Sequence, residues 1–304
     1  MHKFLGTVAA LAVSATAAMA EYPEKPISIV VPWPPGDLED VLSRMIADDL
    51  QAAYGMPAAV INKPGGGGGP FPGAIEVALA PADGYTIGSF VSGVPIAGPN
   101  IGIPELSPNP FEPLGIFMTY PFVIAVAGDA PYDDLAGMAA YAKENKLTLG
   151  HFGAPLIPTR VTLALQGKLG FEFGADAAFD ALDCNTLASG DAQVINTTLQ
   201  LILPCIDSVK ILASVTGERI SKIPDVPTVG EIEPSLKVSL WNGLFVHKDT
   251  PQDIRDKIIA VAEKTMASDA AKKLAEETGA LVYWQKAEDA AAQIEADAAI
   301  LGGL

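Results

Sequence analysis

Residues 62–74 read Asn-Lys-Pro-Gly-Gly-Gly-Gly-Gly-Pro-Phe-Pro-Gly-Ala, between an apolar run, Ala58 to Ile61, and a helical-looking segment from Ala74. A strand, a glycine run and a helix form the local plan of a phosphate or dinucleotide cradle. The rest of either signature is missing. Gly69 is followed by Pro70-Phe71-Pro72 rather than Lys-Ser/Thr, and prolines remove amide donors and fix φ. The strand after the loop ends in Ile87-Gly88-Ser89, without the acid a dinucleotide ribose needs. What remains is bare backbone beside a helix start, which can hold a carboxylate without a buried lysine or arginine. Five glycines exceed what a turn requires, so the run is expected to approach a solute.

Other chemistry is sparse. Beyond His2 the chain has two histidines, His151 and His247, and no G-x-S-x-G elbow, so a Ser-His-Asp hydrolase has no sequence support. Asp37-Leu38-Glu39-Asp40 resembles a fragment of a calcium loop but lacks the alternating ligands of a full one. Helix capping explains it more simply: Asp37 stands at an N-cap position with Asp40 three places on. Cys184 and Cys205 have no Cys-x-x-Cys spacing and no neighbouring histidine, which argues against zinc or redox chemistry. They either pair, as an oxidising compartment permits, or sit as two buried thiols. No cofactor and no metal are expected, and the protein is not read as an enzyme.

The elements that must position these residues follow the hydrophobic pattern. Ile27 to Val31 reads as a buried strand. Leu38, Val41, Leu42, Met45, Ile46 and Leu50 then fall at helical spacing. Strand 58–61, helix 74–80 and strand 85–90 complete a βαβαβ beginning, hence a parallel sheet with sites at the carboxyl ends of its strands. Residues 99–113 are proline-rich and read as irregular. From 121 the alternation restarts: strand 121–126, helix 133–145, strand 147–150, helix 159–168, strand 171–175, helix 178–189, strand 192–197, helix 200–207 and strand 209–215. An extended stretch at 238–245 leads to a helix opened by Thr250-Pro251-Gln252-Asp253, with helical segments to the end. Joints near 120 and 240 divide this α/β chain into two lobes with a cleft: residues 21–121 with 238–304, and residues 122–237. The terminal helices are expected to pack on the first lobe.

Charge and the amino end bound the setting. The 304 residues carry 36 Asp and Glu against 19 Lys and Arg, a net charge of −17, which repels nucleic acid and anionic lipid. His2 and Lys3, the apolar stretch from Phe4 to Val13 and Ala18-Met19-Ala20 have the form of a signal peptide, residues 1–20, cleaved before Glu21. The stretch is too short for a membrane anchor. The expectation is an exported, periplasmic protein that does not insert into the membrane.

In this order the segments resemble the extracytoplasmic solute receptors of tripartite tricarboxylate transporters, the TctC or Bug family. Tyr22-Pro23-Glu24-Lys25-Pro26-Ile27 with Val30-Val31-Pro32-Trp33-Pro34-Pro35-Gly36 is similar to the family's "YPdKPI…vvPfapGG", and Asn62-Lys63-Pro64-Gly65 to its "NrPGAGG". Asp83-Gly84-Tyr85-Thr86, Ile223 to Thr228, Trp241 to Phe245 and Asp249-Thr250-Pro251 resemble further blocks. The resemblance implies a two-lobed, type II-like periplasmic binding protein that closes on a small organic acid, held largely by backbone amides. It would present that solute to large and small membrane subunits. It places the site on Trp33, Pro35, Gly36, Asp37 and Asp40; on Gly66, Gly67, Gly68 and Phe71; on Ser92; and, in the second lobe, on His151, Phe152, Ala154, Asp176 and Thr197.

The departures from the family pattern fall at the site. Asp37 replaces the second glycine of a pair, Asp176-Ala177-Ala178-Phe179 stands where "PYKG" is usual, and Pro70-Phe71-Pro72 where "NIG" is usual. Asp37 is expected to compete for amides at the helix end. Phe71, Phe152, Leu156 and Ile157 are expected to add apolar wall, favouring an amphiphilic acid. Two other readings stay open: Asp37, Asp176 and Asp180 select a cationic or amine-bearing solute, or the cleft belongs to an exported α/β hydrolase. A sensor partner of a membrane kinase is a third.

Overall fold

The computed structural model describes residues 22–65 and 69–301. Gly66, Gly67 and Gly68, and the proposed signal peptide, lie outside the described residues. The chain opens as the pattern requires, with β1 (Ile27–Val31), α1 (Leu38–Tyr54), β2 (Ala58–Asn62), α2 (Phe71–Ala78) and β3 (Thr86–Val91). Strands β1, β2 and β3 are mutually parallel around β1. Leu38, Leu42, Ile46 and Leu50 of α1 are buried on one face of the helix, as the apolar spacing dictates.

A short α3 (Gly93–Ala97) leads through single 3-10 turns to β4 (Phe111–Thr119), which the sequence did not reveal. Pro113 and Gly115 lie inside it, and both normally argue against an inner strand. Here β4 is central, flanked by β10 (Trp241–His247) and β11 (Leu281–Lys286). Pro113 faces Phe245 at a register shift, where a proline's missing N–H is tolerated. The first sheet is thus β11-β4-β10-β3-β1-β2, with β10 antiparallel to both neighbours.

The second sheet has the order β7-β6-β8-β5-β9. Its elements are β5 (Phe122–Ala127), α4 (Leu135–Ala142), β6 (Thr148–His151), α5 (Ile157–Leu169), β7 (Ala175–Ala178), α6 (Cys184–Ser189), β8 (Val194–Thr198), α7 (Leu199–Ile202) and β9 (Val209–Ser214). The strand expected at 171–175 forms three to four residues later, because Phe171 and Phe173 pack edge to face as a pair ahead of Gly174. The helix expected at 178–189 begins only at Cys184, where Asp183 accepts hydrogen bonds from the amides of Asn185 and Thr186 and caps it. Cys184 and Cys205 form a disulfide, Cα to Cα 5.9 Å, that ties the start of α6 to the turn after α7.

The chain returns through α8 (Val229–Ile232) and β10, then runs through α9 (Gln252–Met266), α10 (Asp269–Thr278), β11 and α11 (Ala287–Leu301). Strand β11 interrupts what reads as continuous helix. The returning helices pack on the first sheet's layer. Tyr54 Oη of α1 donates to the Lys257 carbonyl at 3.0 Å, and Thr265 Oγ1 donates to Asp49 Oδ2 at 2.6 Å. Trp241 Nε1, at the start of β10, donates to Asp297 Oδ2 of α11 at 2.7 Å. Among the described residues no helix is long and apolar enough to cross a membrane.

Candidate functional site

The turn from β1 into α1 is built around one carboxylate. Asp40 accepts from the Gly36 amide at 2.8 Å, from Arg44 Nη2 and Nε at 2.9 and 3.0 Å, and from Asn62 Nδ2 of β2 at 2.8 Å. Asn62 also donates to the Trp33 carbonyl, at 3.0 Å. Burial pushes Asp40 up, but these hydrogen bonds and the Arg44 charge hold it below the ordinary range. Gly36 has φ +96°, a conformation that a side chain disfavours. Asp40 therefore fixes where the loop delivers Trp33, Asp37 and Glu39.

Those three residues line a narrow cleft with a cavity volume of about 70 Å³. One wall comes from the first sheet: Trp33 after β1, Asp37 and Glu39 at the start of α1, Val91, Ser92 and Gly93 after β3, and Leu240 and Trp241 entering β10. Facing it are Phe152 after β6, Leu156, Ile157 and Pro158 at the start of α5, and Thr198, Gln200 and Leu201 after β8. Tyr120 and Phe122 come from the crossing between sheets. The cleft therefore opens at the carboxyl ends of β1, β3, β6 and β8, where α/β proteins place ligands.

Two helices point amide ends at this space, and they differ in charge. Asp37 occupies the N-cap position of α1, but its side chain makes no capping hydrogen bond, so it does not compete for amides in the way the sequence suggested. The carboxylates of Asp37 and Glu39 belong to the cleft wall. The 13-residue α5 starts after Leu156 with no side-chain cap and no acid in its first turn. Its positive end is free to face an anion.

Glu39, missed by sequence reasoning, is only 3 % exposed and has no basic partner among the described residues. Ser89 Oγ donates to Asn242 Oδ1 at 3.1 Å, and Asn242 Nδ2 donates to Tyr120 Oη at 2.8 Å. Tyr120 neighbours Glu39, and its O–H is left to act on that carboxyl. Burial first, and the neighbouring Asp37 second, push the Glu39 carboxyl up to about 8. Burial, followed by Asp40, pushes Asp37 up to about 6. Two more polar atoms of the lining, Trp33 Nε1 and Gln200 Oε1, are buried without a hydrogen-bond partner.

Of the candidates from the sequence, Trp33, Asp37, Ser92 and Phe152 meet at this cleft. Leu156 and Ile157 join them as apolar wall. The other described candidates lie elsewhere. Asp40 and Gly36 shape the turn, Pro35 is exposed on it, and Phe71 is buried in the core at the start of α2. Thr197 donates to the Leu182 carbonyl at 2.6 Å, and Ala154 is exposed on the loop before α5. His151 is buried: Nδ1 accepts from the Gly153 amide at 3.0 Å, leaving Nε2–H to donate to Asp176 Oδ1 at 2.9 Å. Among the described residues no group of three or more His, Cys, Asp or Glu is placed to hold a metal ion.

Two α/β sheets and a cleft between their strand ends define the class of periplasmic solute-binding proteins. The family model described as the tripartite tricarboxylate transporter family receptor matches residues 42–302, and the chain belongs to that family. It is a solute receptor, not an enzyme. A relative from Agrobacterium vitis, the UPF0065 protein in the TAR-I ttuE-ttuC' intergenic region, is 30% identical over 264 residues, covering 83% of this chain and 74% of the relative. The solved periplasmic binding protein BugD matches with a TM-score of 0.78 at 25% identity, over 91% of this chain and 95% of that one. An R. palustris protein solved with adipate gives 0.80 at 23% identity, over 93% and 97%.

Proposed function

We propose that this receptor captures a small organic acid with an apolar body and delivers it to the large and small membrane subunits of a tripartite transporter. The lobes are residues 21–121 with 238–304, and residues 122–237, exported behind a signal peptide ending at Ala20. The observation that carries the reading is the start of α5. An uncapped helix end without acidic residues opens onto a cleft otherwise walled by Val91, Phe122, Phe152, Leu156 and Leu240. A carboxylate there takes its hydrogen bonds from the Ile157 and Thr159 amides, Pro158 between them having none, and its charge balance from the helix end. The relative solved with adipate, itself an acid, supports the same class of ligand.

The test is thermal unfolding with a panel of carboxylic acids, each beside its isosteric neutral amide. A ligand at 100 times its Kd stabilises by about 2.7 kcal/mol, enough to move the melting curve. Acids should raise the melting temperature and their amides should not. Equal shifts from acid and amide would defeat the reading.

A further inference from the structure

We propose that the solute carries a cationic nitrogen as well as its carboxylate, an amphiphilic amino acid in the broad sense, and that Glu39 with Asp37 reads the nitrogen. The proposal rests on the organic-acid reading above and adds the second charge. Its starting point is the inventory of the cleft. Glu39 and Asp37 supply carboxyl oxygens, and Gln200 supplies a buried amide oxygen with no partner. Against these acceptors stand one buried unmet donor, Trp33 Nε1, and the hydroxyls of Ser92 and Thr198, none of them charged. No lysine, arginine or histidine lines the cleft among the described residues. A dianion entering such a space would meet carboxyl groups with nothing to offset them, and burying like charges together is strongly unfavourable.

The hydrogen bonds around Glu39 run in one direction. Ser89 donates to Asn242, Asn242 donates to Tyr120, and the Tyr120 hydroxyl acts on the neighbouring Glu39 carboxyl. The hydroxyl and amide behind Glu39 are spent on one another, which leaves its carboxyl oxygens to accept from the cleft side. An ammonium has three donors and no acceptor, matching Glu39, Asp37 and the Gln200 oxygen. The opposite wall, at the start of α5, has the complementary character for a carboxylate. The cleft is bipolar, and a zwitterion fits it in one orientation: acid toward α5, amine toward α1.

The charged and titratable groups facing Glu39 are few. On its own helix they are Asp37 and Asp40, and from the crossing between sheets comes Tyr120. The cleft residues contributed by α3, β10, α5 and α7 include none. In the empty receptor, burial and the neighbouring Asp37 favour the protonated Glu39 carboxyl. An arriving ammonium favours the carboxylate instead, so a proton leaves as the solute binds, and capture strengthens as pH rises.

The experiment titrates the full receptor with matched triads: apolar 2-amino and ω-amino acids, the same acids without the amine, and the same amines without the carboxylate. At least one amino acid is expected to bind at least about 30-fold tighter than its deaminated partner, the scale of losing one side of a buried charged hydrogen bond. Glu39→Gln should erase that ratio while the variant still melts cooperatively. Affinity for the amino acid should also rise between about pH 6 and about pH 8, with proton release visible as a buffer-dependent binding enthalpy. Deaminated acids binding as tightly as amino acids would overturn the proposal and leave the organic-acid reading standing. An unchanged ratio in Glu39→Gln would also overturn it. Amines binding as tightly as amino acids would instead sink the acid reading and keep the role of Glu39. Silence across all three series would refute the proposed ligand class.

Discussion

A carboxyl group withdrawn from water keeps its proton longer, and Glu39 is withdrawn with Asp37 at its side. In the unfolded chain Glu39 ionises near 4.5, and in the fold near 8. The folded state therefore binds the extra proton between those values. The associated stability is complete below the lower pKa and is lost as pH climbs through the upper one. Asp37 adds the same trend between 3.8 and about 6. The empty receptor should melt at progressively lower temperature from about pH 5 to about pH 9. Glu39→Gln should flatten the alkaline half of that curve in a calorimetric series. The family resemblance pointed to Trp33, Asp37, Ser92 and Phe152, and the structure brings these four to the cleft. Glu39 escaped because an acid in a helix's first turn ordinarily complements the helix dipole and faces water. Only the third dimension places Tyr120, eighty-one positions along, against it.

At the scale of elements, the β1–α1 turn depends on Asp40. Removing its carboxylate in Asp40→Ala leaves the Gly36 amide, Asn62 and Arg44 without their shared acceptor. The expected cost is about 2–4 kcal/mol in denaturant unfolding, because several hydrogen bonds to one buried charge are lost. Solute affinity should fall with it, since the same turn sets Trp33, Asp37 and Glu39. Most elements were legible: β1, α1, β2 and β3 lie within a residue or a few of their apolar patterns. Strand β4 was hidden by Pro113 and Gly115, which a bulged, central strand accommodates. Strand β11 was hidden by its helical neighbours and by its edge position, where Leu281 is half exposed and the apolar alternation is weak. Capping also misled: Asp37 holds the right place in sequence, yet its carboxylate is in the cleft wall.

Taken whole, the molecule is two sheets meeting at a cleft, and the disulfide belongs to the second of them. Cys184–Cys205 closes a loop with a sequence separation of 21, and reduction releases that loop in the unfolded chain. Replacing both cysteines by serine should cost about 3 kcal/mol. In a melting experiment this would appear as a drop of roughly 5–10 °C. Because α7 lies just before Cys205 and carries Gln200 into the cleft, the variant should also bind solute more weakly, and the loss should be larger with saturating solute than without it.

The bond from Trp241 to Asp297 has a bearing on how the receptor comes into being. Trp241 forms part of the cleft floor, and its indole is anchored by a residue made 56 positions later. A chain cut short before α11 would reach its compartment with that floor unanchored. Such truncated receptors are expected to hold their cargo more weakly than the full chain.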